Sequence, residues 1–277
     1  MEEQIRPMSV SLNTETHHWF TGAGPVATMA PVHQVEVVVA HSERATLRVG
    51  DVFLKIDADP ERLDGEVAAM ALAPVPTPEV LWRKPSVLAL AALPGTALGR
   101  LGEPVSASAA SWRAAGAAIR TLHDSPAPPR RSRQQQGRAT RLDTECEWLV
   151  TEGVLPADLV RRNREIADAA LRPAEPVFAH GDLQIAHVFV QDEEVTGVLD
   201  WSEAGEGEAM HDLATLTLGH PEHLDDVIEG YGAGVVDVDV IHGWWSLRSL
   251  SIIRWLIEHD FDPFSPGCEV DVLKSHV

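Results

Sequence analysis

Apolar positions along the chain change texture once, near residue 93. Before that point they come in short, β-branched runs: Val32 to Val39, Ala45 to Val49, Val52 to Ile56, Glu79 to Arg83 and Ser86 to Leu93. Each run predicts a strand. Gly50-Asp51 joins the second to the third, and a glycine that accepts positive φ suits a two-residue hairpin turn. The last two runs flank Lys84-Pro85. Glu66 to Leu72, closed before Pro74, is the one helical stretch in this half. From Ser106 the spacing turns helical. Ala109 to His123 places Trp112, Ala115, Ile119 and Leu122 on one face. Leu142 to Val150, Pro156 to Leu171 and Pro221 to Tyr231 follow, with Pro156 suited to a first helical position. Asp237 to His259 is apolar all round and predicts a buried helix. Three short strands interrupt these helices: Val177 to Ala179, Val188 to Val190 and Val195 to Leu199. The last two flank Gln191-Asp192-Glu193-Glu194, a polar loop of hairpin length. The expected class is α+β in two lobes, a small antiparallel-sheet lobe over residues 1–92 and a larger, mainly helical lobe over residues 93–277.

Composition narrows the partners. Asp and Glu number 42 against 22 Lys and Arg, a net charge of −20. Phosphate backbones would be repelled, so nucleic acid is not expected. No apolar run approaches ~18 residues, so no membrane span is expected. The start, Met1-Glu2-Glu3-Gln4, lacks the basic and apolar parts of a secretory signal. Two cysteines, Cys146 and Cys268, make neither a disulfide framework nor a metal-ligand spacing. A reducing, cytoplasmic setting is expected. His17-His18 has no ligand partner at metal spacing, and the arginines at 130, 131, 133, 138 and 141 read as a solvated loop.

The chemistry is concentrated at residues 180–201. A hairpin brings its two open ends together. Asp182 enters before one end and Asp200 leaves at the other, so two carboxylates distant in sequence face one cleft. One can take a proton from a hydroxyl while the other holds a metal ion, the division of labour in phosphoryl transfer. Upstream, Lys55 sits inside an apolar strand and shares a face with Phe53. A lysine so placed calls for a partner.

His180-Gly181-Asp182, the partner position at 187 and Asp200-Trp201 together resemble the aminoglycoside phosphotransferase and choline kinase family. The resemblance spans about residues 35–260 and is strongest at 180–201. It implies a protein-kinase-like fold and transfer of the γ-phosphate of ATP or GTP to a hydroxyl of a small molecule, cationic where that molecule is an aminoglycoside antibiotic. By resemblance Asp182 orients the acceptor and takes its proton, and Asp200 holds Mg²⁺. His187 stands where the family has Asn. It either contacts the metal, with Mn²⁺ then suiting imidazole better than Mg²⁺, or braces the loop through hydrogen bonds. Lys55 would hold the α- and β-phosphates and pair with Glu66. Backbone groups of Leu90 and Ala92 would meet adenine. The phosphate-covering loop, residues 40–44, lacks the family's glycines, which leaves Ser42 and backbone amides beside an unfavourable Glu43. Asp212 either caps a helix or, as in the family, braces the catalytic loop. The acidic tail from Glu258 to Asp271 corresponds in place and charge to where the family receives cationic antibiotics, or is a solvated end. A second reading is a nucleotide- or small-molecule-binding protein of the same fold without transfer. His187 and the glycine-free loop favour that reading, whereas Lys55, Asp182 and Asp200 favour the enzyme.

Overall fold

A computed structural model describes residues 35–40, 43–100, 104–128 and 138–275. Ser42, His17-His18, the start of the first predicted strand and the arginines at 130, 131 and 133 lie outside the described residues. The chain divides into two compact units, Met1–Asp64 with Glu79–Ala92, and Gly65–Pro78 with Leu93–Val277.

The first unit is built on five antiparallel strands: β1 (Val35–Ala40), β2 (Arg44–Val49), β3 (Val52–Asp57), β4 (Val80–Lys84) and β5 (Val87–Ala91), in the order β1-β2-β3-β5-β4. Val49 faces Val52 across the Gly50-Asp51 turn, and Gly50 has φ +61°. Glycine carries this left-handed backbone without a Cβ clash. The turn between β4 and β5 is Pro85-Ser86, with Lys84 opposite Val87 and Ser86 at φ +65°. The helix α1 (Pro60–Leu72) starts at Pro60, well before Glu66. Proline is tolerated at a first helical position because its missing N–H would have had no partner. The sparse apolar residues of the first turn hid this start from the periodicity.

The second unit contains β6 (Thr96–Ala97), α2 (Ala109–His123), α3 (Arg138–Thr151), α4 (Ala157–Ala167), β7 (Val177–Ala179), β8 (Val188–Gln191), β9 (Glu194–Val198), β10 (Gly205–Gly207), α5 (Ala209–Thr217), α6 (Leu224–Tyr231), α7 (Val238–Glu258) and α8 (Glu269–Ser275). Pro156 caps α4 from outside the helix rather than occupying its first position, and a 3-10 turn, Asp168–Leu171, completes the predicted stretch. The β8–β9 connection is tighter than expected. Gln191 and Glu194 pair as strand residues, and only Asp192 and Glu193 turn, at φ +52° and +64°. Two positive φ values match the twist of the flanking strands.

The core of this unit is apolar and aromatic: Trp112, Phe178, Trp201, Leu213, Ile241 and Leu250 are buried. α7 is its central post, in contact with α3, α4, α5 and α8. Asp237 caps α7, accepting from the backbone N–H of Asp239 and Val240. The acidic stretch after it is solvated only in its first part, since Glu258 to Asp262 are exposed. α8 buries Val270, Val272 and Leu273, and the carbonyl of Leu273 accepts from Asn163 Nδ2 of α4 at 2.9 Å. Its acidic residues alternate with apolar ones, so net charge alone concealed a packed face. Among the described residues, no helix is long and apolar enough to cross a membrane.

Candidate active site

β7 delivers His180-Gly181-Asp182 at its end, and β10 pairs alongside it. Gly181 has φ +85°, and a Cβ there would meet the carbonyl oxygen of Glu203 at 2.5 Å. Only glycine fits, for both reasons. Asp212 then holds the loop in place. Its two carboxylate oxygens accept the backbone N–H of His180 at 2.7 Å and of Gly181 at 2.9 Å. His123 Nε2 of α2 donates to the same carboxylate at 3.1 Å, and His123 Nδ1 meets the Tyr231 hydroxyl of α6 at 3.0 Å. Asp212 is therefore no cap of its own helix, as one reading of the sequence had it. It lies within α5 and spends its acceptors on the loop. Burial alone would raise its carboxyl pKa. The hydrogen bond from His123 and the surrounding His123, His211 and His180 rings outweigh burial and hold it at about 2.

His180 ties this loop to the hairpin. Its Nε2–H donates to the carbonyl of Leu199 at 2.8 Å, and its Nδ1 accepts from the N–H of Asp182 at 3.3 Å. The ring is fully buried, and burial lowers its pKa against the pull of Asp212. Both hydrogen bonds are those of a neutral ring. Trp201 packs edge-on against it, 4.9 Å between centroids. Asp200 sits between them in sequence with a left-handed backbone, φ +61° and ψ +66°, and accepts from Ser202 Oγ at 3.1 Å. For a non-glycine residue that conformation is uncommon and is held by its surroundings.

Asp182 carries most of its described polar contacts on one oxygen. Oδ1 accepts from Gln184 Nε2 at 3.0 Å and from Arg248 Nη2 of α7 at 3.4 Å, whereas Oδ2 has only Gln184 at 3.3 Å. Burial pushes this carboxyl up. The Arg248 guanidinium, the His187 ring and the Gln184 hydrogen bond pull harder in the other direction, so its pKa lies below the ordinary carboxylate value. His187 Nδ1 lies 2.8 Å from the carbonyl oxygen of Asp182, and the carbonyl of His187 accepts from the N–H of Leu199 at 2.8 Å. A carbonyl only accepts, so in the neutral ring Nδ1 carries the proton and Nε2 keeps the lone pair. His187 therefore braces the loop and retains a nitrogen able to ligate.

The donor set fits one kind of metal binding. Among the described residues no group of three or more His, Cys, Asp or Glu side chains is arranged to hold an ion. Asp200 follows Leu199, whose N–H bonds to the carbonyl of His187, so the backbone places both residues at the hairpin's open end. One carboxylate and one imidazole suit a divalent ion that arrives on nucleotide phosphates, not an all-protein cage.

The remaining predicted residues lie as follows. Lys55 is half-buried on β3, across from Thr46 and Leu88. Glu66 is completely buried in the middle of α1. It does not open the helix, so favour from the helix dipole is not its reason for being there. Lys55 belongs to the first unit and Glu66 to the second. Leu90 is buried within the sheet, across from Phe53 and Val80. The N–H of Ala92 donates to the carbonyl of Asp51 at 2.8 Å, which uses that amide within its own unit. The sequence reading missed Arg248, Gln184, Ser202 and His123. For Arg248 a signal existed, since it is the only charged residue from Trp244 to Ile253.

A model of the phosphotransferase enzyme family, APH, matches residues 40–244. The chain belongs to this family. No curated protein matches it in sequence. Its fold is similar to that of a spectinomycin phosphotransferase in complex with ADP and spectinomycin, with TM-score 0.65 and 14% identity over 88% of this chain and 93% of the other. It is similar also to a choline/ethanolamine kinase family protein from Mesorhizobium loti, with TM-score 0.63 and 22% identity over 87% of each chain. A third likeness is to APH(2'')-IIia in complex with GDP and kanamycin, with TM-score 0.66 and 15% identity over 89% and 94%. This APH-family chain thus has the kinase-like phosphotransferase fold, with an antiparallel-sheet unit and a helical unit.

Proposed function

We propose that this APH-family protein moves the γ-phosphate of ATP or GTP to a hydroxyl of a small molecule. The observation that carries the reading is the Asp182 carboxylate, set on a loop whose amides are tied down by Asp212 and oriented by Gln184 and Arg248. The acceptor O–H gives its proton to Asp182. Its oxygen forms the new bond to the γ-phosphorus as the bond to the β–γ bridging oxygen breaks, and the nucleoside diphosphate leaves with that electron pair. A divalent ion on Asp200 and His187, when bound, neutralises charge on the donor phosphates. Lys55 is the side chain assigned to the α- and β-phosphates. The nucleotide complexes of the structural neighbours support a nucleotide donor. Because ATP and GTP are cytoplasmic, we place the reaction there. Aminoglycoside-type antibiotics are the first acceptor class to test, since kanamycin and spectinomycin are bound by neighbours of the same fold.

The test is a mass-spectrometric screen with ATP and GTP, in Mg²⁺ and in Mn²⁺, over kanamycin, spectinomycin, choline and a panel of hydroxylated metabolites. The expected result is a phosphate added to at least one acceptor by the wild type. Asp182→Asn should bind nucleotide normally and lose about 10²-fold or more in turnover, the usual scale of general-base catalysis. One observation favours a second reading, a nucleotide-binding protein without transfer: histidine replaces the family's asparagine at 187. Nucleotide binding without turnover in any arm of the screen would establish that reading instead.

A further inference from the structure

Arg248 is the one charge on the buried stretch of α7, and its guanidinium lies between two carboxylates of different elements. Nη2 is 3.4 Å from Asp182 Oδ1, and Nη1 is 3.9 Å from Glu269 Oε1 at the start of α8. Arg248 is 21% exposed and Glu269 15% in their side chains, so both are largely withdrawn from water. Gln184, the other side chain bonded to the Asp182 carboxylate, sits two residues away on the same loop and moves with it. Among the described residues, Arg248 alone ties that carboxylate to a helix anchored in the core. The terminal torsion of an aspartate is broad and two-fold. A donor from a second, rigid element is what fixes it. With both donors converging on Oδ1, Oδ2 is the less encumbered oxygen.

We propose that Arg248 is a positioning residue for Asp182. Braced from behind by Glu269, it sets the plane of the Asp182 carboxylate so that Oδ2 receives the acceptor's proton. The proposal rests on the phosphotransfer reading above. Arginine suits the task because its planar fork presents separate N–H groups to two carboxylates at once, where lysine offers a single point charge. Its effect travels through Asp182 and not through the nucleotide, and that separates it from a substrate-binding arginine.

Hydrolysis of ATP and of GTP, with water as acceptor, supplies a probe that needs no identified substrate. Wild type, Arg248→Lys, Arg248→Met and Glu269→Gln are compared, with Arg248→Met also placed in the Asp182→Asn background. Arg248→Met should lower kcat about tenfold or more and leave the nucleotide KM within about twofold, the pattern of a group acting only on the transition state. Arg248→Lys should recover part of the loss, and Glu269→Gln should show a smaller loss. With Asp182 already replaced, Arg248→Met should cost nothing further, because residues acting through one another are not additive. Wild-type kcat in Arg248→Met, or an equal loss in the Asp182→Asn background, overturns the proposal. Crystal structures decide it independently of turnover. The Asp182 carboxylate should rotate in Arg248→Met, or in Glu269→Gln where the methionine variant does not fold, and an unchanged carboxylate in the variant overturns the proposal. A rotated carboxylate in a protein whose wild type transfers phosphate neither to water nor to any acceptor of the screen defeats the phosphotransfer reading and leaves the positioning of the Asp182 carboxylate standing.

Discussion

His187 does at residue scale what an asparagine would do with an amide. It donates one N–H to the carbonyl of Asp182 and keeps one lone pair free. The difference lies in that lone pair, which is on imidazole nitrogen instead of carbonyl oxygen. Mg²⁺ prefers hard oxygen, and Mn²⁺ and later transition metals accept nitrogen more readily. Turnover, or nucleotide affinity where no acceptor is found, should therefore be better supported by Mn²⁺ than by Mg²⁺ in the wild type. His187→Asn supplies both an N–H for the Asp182 carbonyl and an oxygen for the ion, and should move the preference towards Mg²⁺. The same Mg²⁺/Mn²⁺ ratio in both proteins would mean that His187 only braces the loop.

At the scale of elements, Asp212 joins α5 to α2 and to the catalytic loop after β7. Asp212→Ala strips two buried backbone N–H groups of their acceptor. Each such orphan costs roughly 1–3 kcal/mol, so urea unfolding at neutral pH should show a loss of about 2–6 kcal/mol. The folded carboxyl titrates at about 2, below the ordinary aspartate value of ~3.9. A depressed pKa contributes stability that is fully present above the unfolded value and disappears as pH falls through the folded one. The wild type's advantage over Asp212→Asn should thus hold at pH 5 to 7 and shrink between about pH 4 and 2. Unfolding free energies at a series of pH values read this directly, and a gap that widens on acidification would contradict the assignment. The α2–α6 contact depends on glycine in the same local way. A Cβ on Gly116 would collide with the carbonyl of Val227, and one on Gly230 with the carbonyl of Arg113. Backbone atoms cannot rotate aside. Gly116→Ala should lower stability by about 1–3 kcal/mol, the scale of overpacking, with a lower midpoint in thermal melts and no change in nucleotide KM.

For the molecule as a whole, the residues proposed for the nucleotide phosphates and for the acceptor lie in different units. Lys55 belongs to the antiparallel sheet, while Asp182, His187 and Asp200 belong to the helical unit. Lys55→Ala should raise the apparent KM for ATP, or lower kcat, while Asp182 and its partners keep their arrangement. Calorimetric titration showing wild-type affinity for ATP with Mg²⁺, together with unchanged turnover, would remove Lys55 from the site. The charge of −20 is consistent with a cationic acceptor, yet one cation beside the proposed base belongs to the protein itself, Arg248.

What sequence alone determined was local. Strand and helix periods, the Gly50-Asp51 turn and the limits of α2 follow from neighbours within a few residues, and each was legible. So was the spacing from His180 to Asp200, because a hairpin is a local structure and brings its own ends together. The start of α1 was missed because Leu63 is the one buried apolar residue of its first turn, and the packed α8 because its acidic residues dominated its composition. Tertiary structure decided everything that depended on distant chain. Arg248 reaches Asp182 from 66 residues away, Asp212 reaches His180 from 32, and Asn163 meets Leu273 across 110. No period or turn rule encodes such pairs, since they arise only when helices cross in a shared core. The sequence could therefore single out Asp182 as the proposed base, but the partners that surround it came from the packing of α5 and α7 around its loop.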